Sequence, residues 1–281
     1  MSGPSFIATG FAFTTLAGVT DVQTIINAIS TMLTATLSAT PTGVYPSGEQ
    51  WTSLGGGAFQ APTDVSGRFM KVTVVRTSII RMEFKIEDPT GVLLDGEIDI
   101  AAGGSTVNIY GGPGHLLVEA NNGGTWETAR AIMTDPTPEP LSASTVFVWC
   151  ATHRNAAGGG AIGNAANADY WSGRYYNGTL AGVTFANLLA RMRVPAQDTG
   201  STHFRTQAGS DCAGPQYISV DSVANADDNR NAGKLYQCVS VDSSQIAGTD
   251  LNIPIDTGVT GTFRVLHLGP NGMTQFAIRK G

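Results

Sequence analysis

A strict alternation of apolar and charged side chains over residues 80–87 constrains the fold more than any other feature of this sequence. Successive side chains of a β-strand point to opposite faces, so a period of two predicts a strand with one face buried and the other in water. Antiparallel sheets are the structures that commonly bury one face in this way. The apolar set is Ile80, Met82, Phe84 and Ile86, and the charged set is Arg81, Glu83, Lys85 and Glu87.

Short segments of the same character recur along the chain, separated by turns rich in Gly, Pro, Asn and Asp. This regular spacing predicts a mainly β fold, an antiparallel β-sandwich or a related meander, with one N-terminal amphipathic helix and long loops rich in Gly, Ala and Asn. A short helix is also expected over residues 185–193. Strands are expected near residues 69–76, 79–87, 92–100, 105–110, 115–120, 126–133, 145–154, 215–221, 234–241, 261–268 and 273–279.

The composition divides the chain into three segments. Residues 1–66 contain the helix and a connecting arm rich in Pro, Gly and Ser, and residues 67–140 contain the clearest strands. Residues 141–281 form a second β-rich region with long loops, which could be continuous with 67–140. The boundary is placed at 135–140, where three prolines in six residues disfavour both a helix and a central strand.

The N-terminal helix is predicted to begin at Thr20, because Thr20 and Gln23 have the spacing of a capping box. Two interpretations of its apolar stripe stay open. The stripe packs on the chain's own sheet, or it contacts a neighbouring subunit, which the uncharged opposite face (Thr24, Asn27 and Thr31) favours. The stripe consists of Val22, Ile25, Ile26, Ile29, Met32 and Leu33.

Low charge indicates a subunit of something larger. Charged residues make up 14% of the 281 positions, against roughly 25% in an average soluble domain. The net charge of −6 argues against a nucleic-acid partner, because neutralising phosphates requires clustered Lys and Arg. No run of 18 apolar residues predicts a membrane span, and the N-terminus lacks the basic and apolar regions of a signal peptide.

No set of residues predicts catalysis, a cofactor or a metal. The four histidines lack metal-site spacing, and three widely spaced cysteines are not a disulfide framework, although pairing of Cys212 with Cys238 stays open. Glu97 and Asp99 lie two residues apart on one strand face and are expected to be solvated. We therefore expect a non-enzymatic protein without a cofactor.

One aromatic segment is the strongest candidate for a contact site. Its residues suit three roles: closing over the sandwich, contacting another protein, or stacking on a glycan. The interface or ligand candidates are Tyr170, Trp171, Arg174, Tyr175 and Tyr176.

Three segments together resemble a tailed-bacteriophage virion protein. They are GFAFTTLAGVTDVQTIINAI (10–29), WTSLGGGAFQAPTDVSGRFMKVTVVR (51–76) and MEFKIEDPTGVLLDGEIDI (82–100). The resemblance implies a structural subunit of the virion, made in the host cytoplasm, in the tail or baseplate or else as a collar or head decoration protein. Its partners would be copies of itself and other virion proteins. The alternative is an adhesin module that binds a host-surface glycan or receptor.

Overall fold

The computed structural model shows a mainly β protein, as the sequence predicts. It describes residues 10–65, 67, 69–88, 91–133, 146–153, 172–176, 189–193, 217–222, 230–241, 246–256, 259–267 and 275–281.

The first half of the described chain contains the helix and nine strands. Its elements are β1 (Ala12–Val19), α1 (Val22–Thr31), a π-helical turn (Met32–Thr36), β2 (Thr52–Gly55), β3 (Ala58–Gln60), β4 (Lys71–Arg76), β5 (Arg81–Asp88), β6 (Gly91–Asp99), β7 (Ser105–Gly112), β8 (His115–Asn122) and β9 (Thr125–Met133).

The second half of the described chain contains eight strands. They are β10 (Val146–His153), β11 (Ser172–Tyr176), β12 (Leu189–Arg193), β13 (Tyr217–Ser222), β14 (Arg230–Val241), β15 (Asp250–Asp256), β16 (Val259–Val265) and β17 (Gln275–Arg279).

These strands form two antiparallel sheets. The smaller sheet has the order β2-β3-β4-β5-β6, and the larger has the order β1-β7-β8-β9-β10-β11-β12-β13-β14-β17-β16-β15. The larger sheet takes strands from all three segments that the composition distinguishes, and β9 pairs directly with β10 across the proline-rich boundary. Residues 135–140 themselves lie outside the described residues.

The two sheets share one hydrophobic core, the arrangement expected of a sandwich. Met82, Phe84 and Ile86 are fully buried in it, which confirms the inward face that the alternation predicts. Ile80 is 37% exposed, because it lies in the turn before β5 and not within the strand. The larger sheet contributes Val107, Ile109, Leu116, Val118, Ala120, Ala129 and Ala131.

The helix packs on this same core. Val22, Ile25, Ile26 and Ile29 of α1 are buried, as are Met32 and Leu33 in the π-helical turn that follows. The apolar stripe therefore packs on the chain's own sheets, and the alternative interpretation, that it contacts a neighbouring subunit, is wrong. The N-cap also differs from the prediction, since Asp21 accepts a hydrogen bond from the backbone of Gln23 at 2.8 Å.

The predicted helix over 185–193 is wrong in its described part. Residues 189–193 form strand β12, whose backbone pairs with β11 on one side and β13 on the other. Residues 189–193 (LARMR) are all strong helix formers, but two neighbouring strands supply backbone hydrogen bonds that outweigh this local preference.

The C-terminal strands of the larger sheet lie against the other face of its strands β7 and β8. Ile253, Phe263, Val265 and Ala277 form a second, smaller core in β15–β17. Phe11, the residue before β1, is joined to the end of β17 and to the residues after it, because the Phe11 amide donates to the Arg279 carbonyl oxygen at 2.9 Å and the Gly281 amide donates to the Phe11 carbonyl oxygen at 3.0 Å. Both faces of β7 and β8 are consequently buried.

None of the helices in the described part of the chain has the length and apolar character that crossing a membrane requires.

Candidate functional site

The predicted aromatic site lies partly within a paired strand. Residues 172–176 form β11, where Phe147 of β10 lies opposite Tyr175 and Val148 lies opposite Arg174. Only the backbone of this strand is described. Tyr170 and Trp171 lie outside the described residues.

A buried polar cluster joins β7 and β8 to the segment after β16. Glu119 is fully buried and accepts a hydrogen bond from the His267 backbone amide at 2.7 Å. Its Oε2 also lies 3.4 Å from His267 Nδ1 and accepts from the Tyr110 hydroxyl at 3.3 Å. Burial, and then the charge of Glu119, hold the pKa of Tyr110 well above its ordinary value. The cluster satisfies buried polar groups that would otherwise destabilise the fold.

His267 is closely packed. Its ring stacks on Trp126 with centroids 3.6 Å apart and planes inclined by 15°. Gly248 is so close to the ring that a Cβ there would lie 3.0 Å from Cε1 and Nε2. The imidazole thus fills the space between β9 and the turn before β15, which gives it a structural role.

A second polar cluster lies where β1 meets the C-terminal strands. Arg264 and Lys280 lie 5.0 and 4.8 Å from the centre of the Phe13 ring, a cation–π arrangement. Both cations also contact Asp250, Arg264 with two hydrogen bonds and Lys280 at 2.8 Å. The hydrogen bond from Arg264, more than any other contact, lowers the pKa of Asp250. These charges hold β1, β15 and β16 together.

A third cluster lies between the two sheets and corrects one prediction. Asp99 is buried and accepts two hydrogen bonds from Arg81, at 2.7 and 2.9 Å, so the expectation that it is solvated is wrong. Its backbone amide donates to Glu127 Oε2 at 2.7 Å, and Asn122 Nδ2 donates to Glu127 Oε1 at 3.0 Å. Glu97, which is partly exposed, also contacts Arg81, at 3.2 Å.

The exposed side chains of greatest interest are large and apolar. Leu54 is 50% exposed at the end of β2, and Ile246 is 71% exposed ahead of β15. Val65 and Ile79 are also exposed, each in a connection between elements. Sequence reasoning missed these four residues. For Leu54, Val65 and Ile246, the available signal was a large apolar residue next to glycines or polar residues in a turn, whereas Ile79 is followed by the apolar Ile80 and gave no such signal.

Within the described residues, no group of three or more His, Cys, Asp or Glu side chains could hold a metal ion. The buried carboxylates described above all bind groups on other strands, which is a role in stabilising the fold.

No protein-family model matches the chain. No curated protein is significantly similar to it in sequence.

Proposed function

We propose that this protein is a non-enzymatic structural subunit of a bacteriophage virion, in the tail or baseplate, where it contacts copies of itself and other virion proteins. The observation that carries the proposal is the placement of large apolar side chains at the turns of a fold whose interior is well packed. The resemblance of segments 10–29, 51–76 and 82–100 to virion proteins supplies the class of assembly.

The exposed apolar side chains favour contact with a neighbouring protein. Leu54, Val65, Ile79 and Ile246 lie in or beside connections, outside the two hydrophobic cores. Covering such a side chain stabilises a complex by about 25 cal/mol for each Å² of apolar area removed from water. Val65 is joined to the loop containing Val44, another exposed residue, by a backbone hydrogen bond of 2.9 Å. These residues therefore provide several separate contact points.

The test replaces contact residues without disturbing either core. A variant with Leu54→Ser and Ile246→Ser is expected to enter large particles less efficiently than the unchanged chain, while its thermal unfolding midpoint stays close to that of the unchanged chain. The matched control is Thr52→Ser, which alters an exposed side chain of the same strand as Leu54. Equal incorporation of the double variant and the control would refute this contact surface.

The aromatic segment favours a second candidate, a glycan- or receptor-binding adhesin module. Aromatic rings next to an Arg suit both stacking on a sugar and contact with a protein. Trp171→Ala and Tyr175→Ala separate the two functions. A structural subunit loses incorporation into particles, whereas an adhesin loses binding to host-surface polysaccharide and is incorporated normally. A collar or head decoration protein would also lose incorporation into particles, and would differ from a tail or baseplate subunit only in its place on the particle.

A further inference from the structure

The outer edge of strand β1 carries backbone groups that no described strand binds. β1 lies at one end of the larger sheet and pairs with β7 on its inner side. On the outer side, Phe11 just before β1 bonds to Arg279 and Gly281. Backbone N–H and C=O groups of successive strand residues point to opposite sides of the strand. The residues of β1 that share the outward direction of Phe11 are Phe13, Thr15 and Ala17.

The open part of this edge ends at a bulge. The pairing of β1 with β7 shifts between Leu16 and Val19, and Gly18 there has a φ of +65°. A glycine with positive φ at a bulge bends the strand out of its straight course. The open stretch therefore comprises residues 13–17, between the C-terminal residues on one side and the bend at Gly18 on the other.

β1 is the least protected of the edge strands in the described sheets. Edge strands usually avoid pairing with other chains through charge, proline or short length. β15, at the other end of the larger sheet, carries Asp250 and Pro254. In the smaller sheet, the edge strand β2 has four residues, and the edge strand β6 carries Asp95 and Glu97. β1 has eight residues, none of them charged and none a proline.

We propose that the open edge of β1 binds the same edge of a second copy of this chain, as an antiparallel pair with a two-fold axis at Thr15. The larger sheets of the two copies then form one continuous sheet. The proposal rests on the proposed function for its biological role, whereas the dimer itself forms without a particle.

The open stretch is complementary to itself. Antiparallel pairing about Thr15 places Thr15 opposite its equivalent and Phe13 opposite Ala17 of the second copy. A large ring then faces a methyl group, and two threonines form a favourable cross-strand pair. All of these residues have outward backbone groups, so each opposing pair exchanges two hydrogen bonds. Because the stretch has no charged residue, no like charges are opposed.

The two-fold arrangement also limits the assembly to two copies. A contact that uses the same surface on both copies closes on itself, so neither copy has a second β1 edge to offer. The bend at Gly18 ends the pairing where the second strand would otherwise meet Gly281.

β1 is held in place before it binds. On one face, Ala12 and Leu16 pack against the main core. On the other face, the Phe13 ring lies 5.0 Å from the Arg264 guanidinium and 4.8 Å from the Lys280 ammonium group. A strand fixed on both faces loses little conformational freedom on binding, which favours association.

The first experiment measures the mass of the purified full chain by sedimentation equilibrium over a range of protein concentrations. The expected result is a reversible change from monomer to dimer as the concentration rises. A chain that is monomeric at every concentration, or that forms larger species without a dimer, would overturn the proposal. Neither result bears on the proposed function, because entry into particles is measured separately.

Charge substitutions at Thr15 test the two-fold arrangement. Thr15→Lys places two lysines opposite each other, and Thr15→Glu places two glutamates. Each is expected to raise the dissociation constant of the dimer at least about tenfold. An equal mixture is expected to restore a dimer with one copy of each variant, because the opposed charges then attract. Variants that dimerise as strongly as the unchanged chain, or a mixture that stays monomeric, would overturn the proposal.

Thr15→Val is the matched control. It removes the hydroxyl group that donates to Asn108 at 2.9 Å but adds no charge. We expect this variant to dimerise as the unchanged chain does, and the thermal unfolding midpoints of the charged variants to stay close to its own. Loss of the dimer in a folded Thr15→Val protein would contradict pairing through the backbone.

Amide hydrogen exchange in the unchanged chain decides the proposal even where a variant does not fold. The Thr15 amide points away from β7, whereas the amides of Thr14 and Leu16 point towards it. Dimer formation is expected to slow exchange at Thr15 at least about tenfold and to leave Thr14 and Leu16 nearly unchanged. The same exchange rate at Thr15 in dilute and in concentrated protein would refute the pairing.

Discussion

Individual buried charges in this protein hold strands together. Asp99 shows why sequence reasoning could not see this role. Alternation correctly places it on the face opposite Ile98, but no local pattern indicates that Arg81 on β5 and Glu127 on β9 lie against it. These contacts join residues far apart in the chain, so only the folded structure brings them together.

Removing the Glu119 carboxylate is predicted to be strongly destabilising. Glu119→Ala leaves the His267 backbone amide and the Tyr110 hydroxyl without this buried acceptor. We expect the free energy of unfolding to fall by about 2–4 kcal/mol, measured by urea denaturation. Tyr110→Phe is the matched control, because it removes only the longer 3.3 Å hydrogen bond and is expected to cost about 1 kcal/mol. Equal losses in the two variants would contradict the role assigned to Glu119.

The buried His115 is predicted to make stability depend on pH. Burial lowers the pKa of His115 from 6.5 to about 3. Between these values the unfolded chain binds a proton that the folded chain does not, so the free energy of unfolding falls as the pH decreases, by up to about 1.4 kcal/mol per pH unit. Above the pKa of His115 in the unfolded chain, its imidazole is neutral in both the folded and the unfolded state. His115 then no longer makes stability depend on pH.

His115→Phe checks this dependence. The variant keeps an aromatic ring at the T-shaped contact with Phe11 but removes the titrating group. Urea denaturation of both proteins at about pH 7 and about pH 4.5 gives the decrease in the free energy of unfolding between these pH values. We expect a smaller decrease in the variant, since carboxyl groups contribute equally to both proteins. Equal decreases in the free energy of unfolding of the two proteins would show that His115 does not titrate as burial requires.

At the scale of elements, the sequence predicts β4 to β9 well, but no strand was predicted at β1, β2, β3, β11 or β15, and a helix was predicted at 189–193. Hydrophobic alternation and turn residues locate β4 to β9 to within a few residues, because these signals are local. Leu189 and Met192 have helical spacing, yet the segment is a strand, because β11 and β13 pair with it on both sides. The apolar stripe of α1 was visible in the sequence, whereas the surface that covers it was not.

The β2–β3 hairpin is predicted to depend on one particular glycine. Gly55 and Gly57 both adopt positive φ, +84° and +81°. A Cβ on Gly57 would overlap the Val74 carbonyl oxygen, while a Cβ on Gly55 would meet nothing within 4 Å. Gly55→Ala is therefore expected to cost about 1 kcal/mol, the ordinary cost of positive φ, and Gly57→Ala clearly more. Thermal unfolding of both variants measures the difference, and equal destabilisation would contradict the close approach of the hairpin to β4.

At the scale of the whole molecule, the two sheets and the C-terminal strands form a continuous frame. The smaller sheet and α1 cover one face of β7–β9, and β15–β17 reach the other face through Glu119, Phe13 and the backbone of Phe11. Composition suggested three successive segments, but the larger sheet draws strands from all of them. Strand order depends on contacts between distant residues, which periodicity does not encode.

The central claim is that this frame is a building unit of a large particle. The most direct measurement is to sediment a native lysate from infected cells, at low and at high salt, and to probe the pellet for this chain. We predict co-sedimentation with large particles that resists salt, because apolar contacts at turns are not screened by ions. A chain found only in the soluble fraction at every salt concentration would contradict the account and give priority to glycan-binding assays.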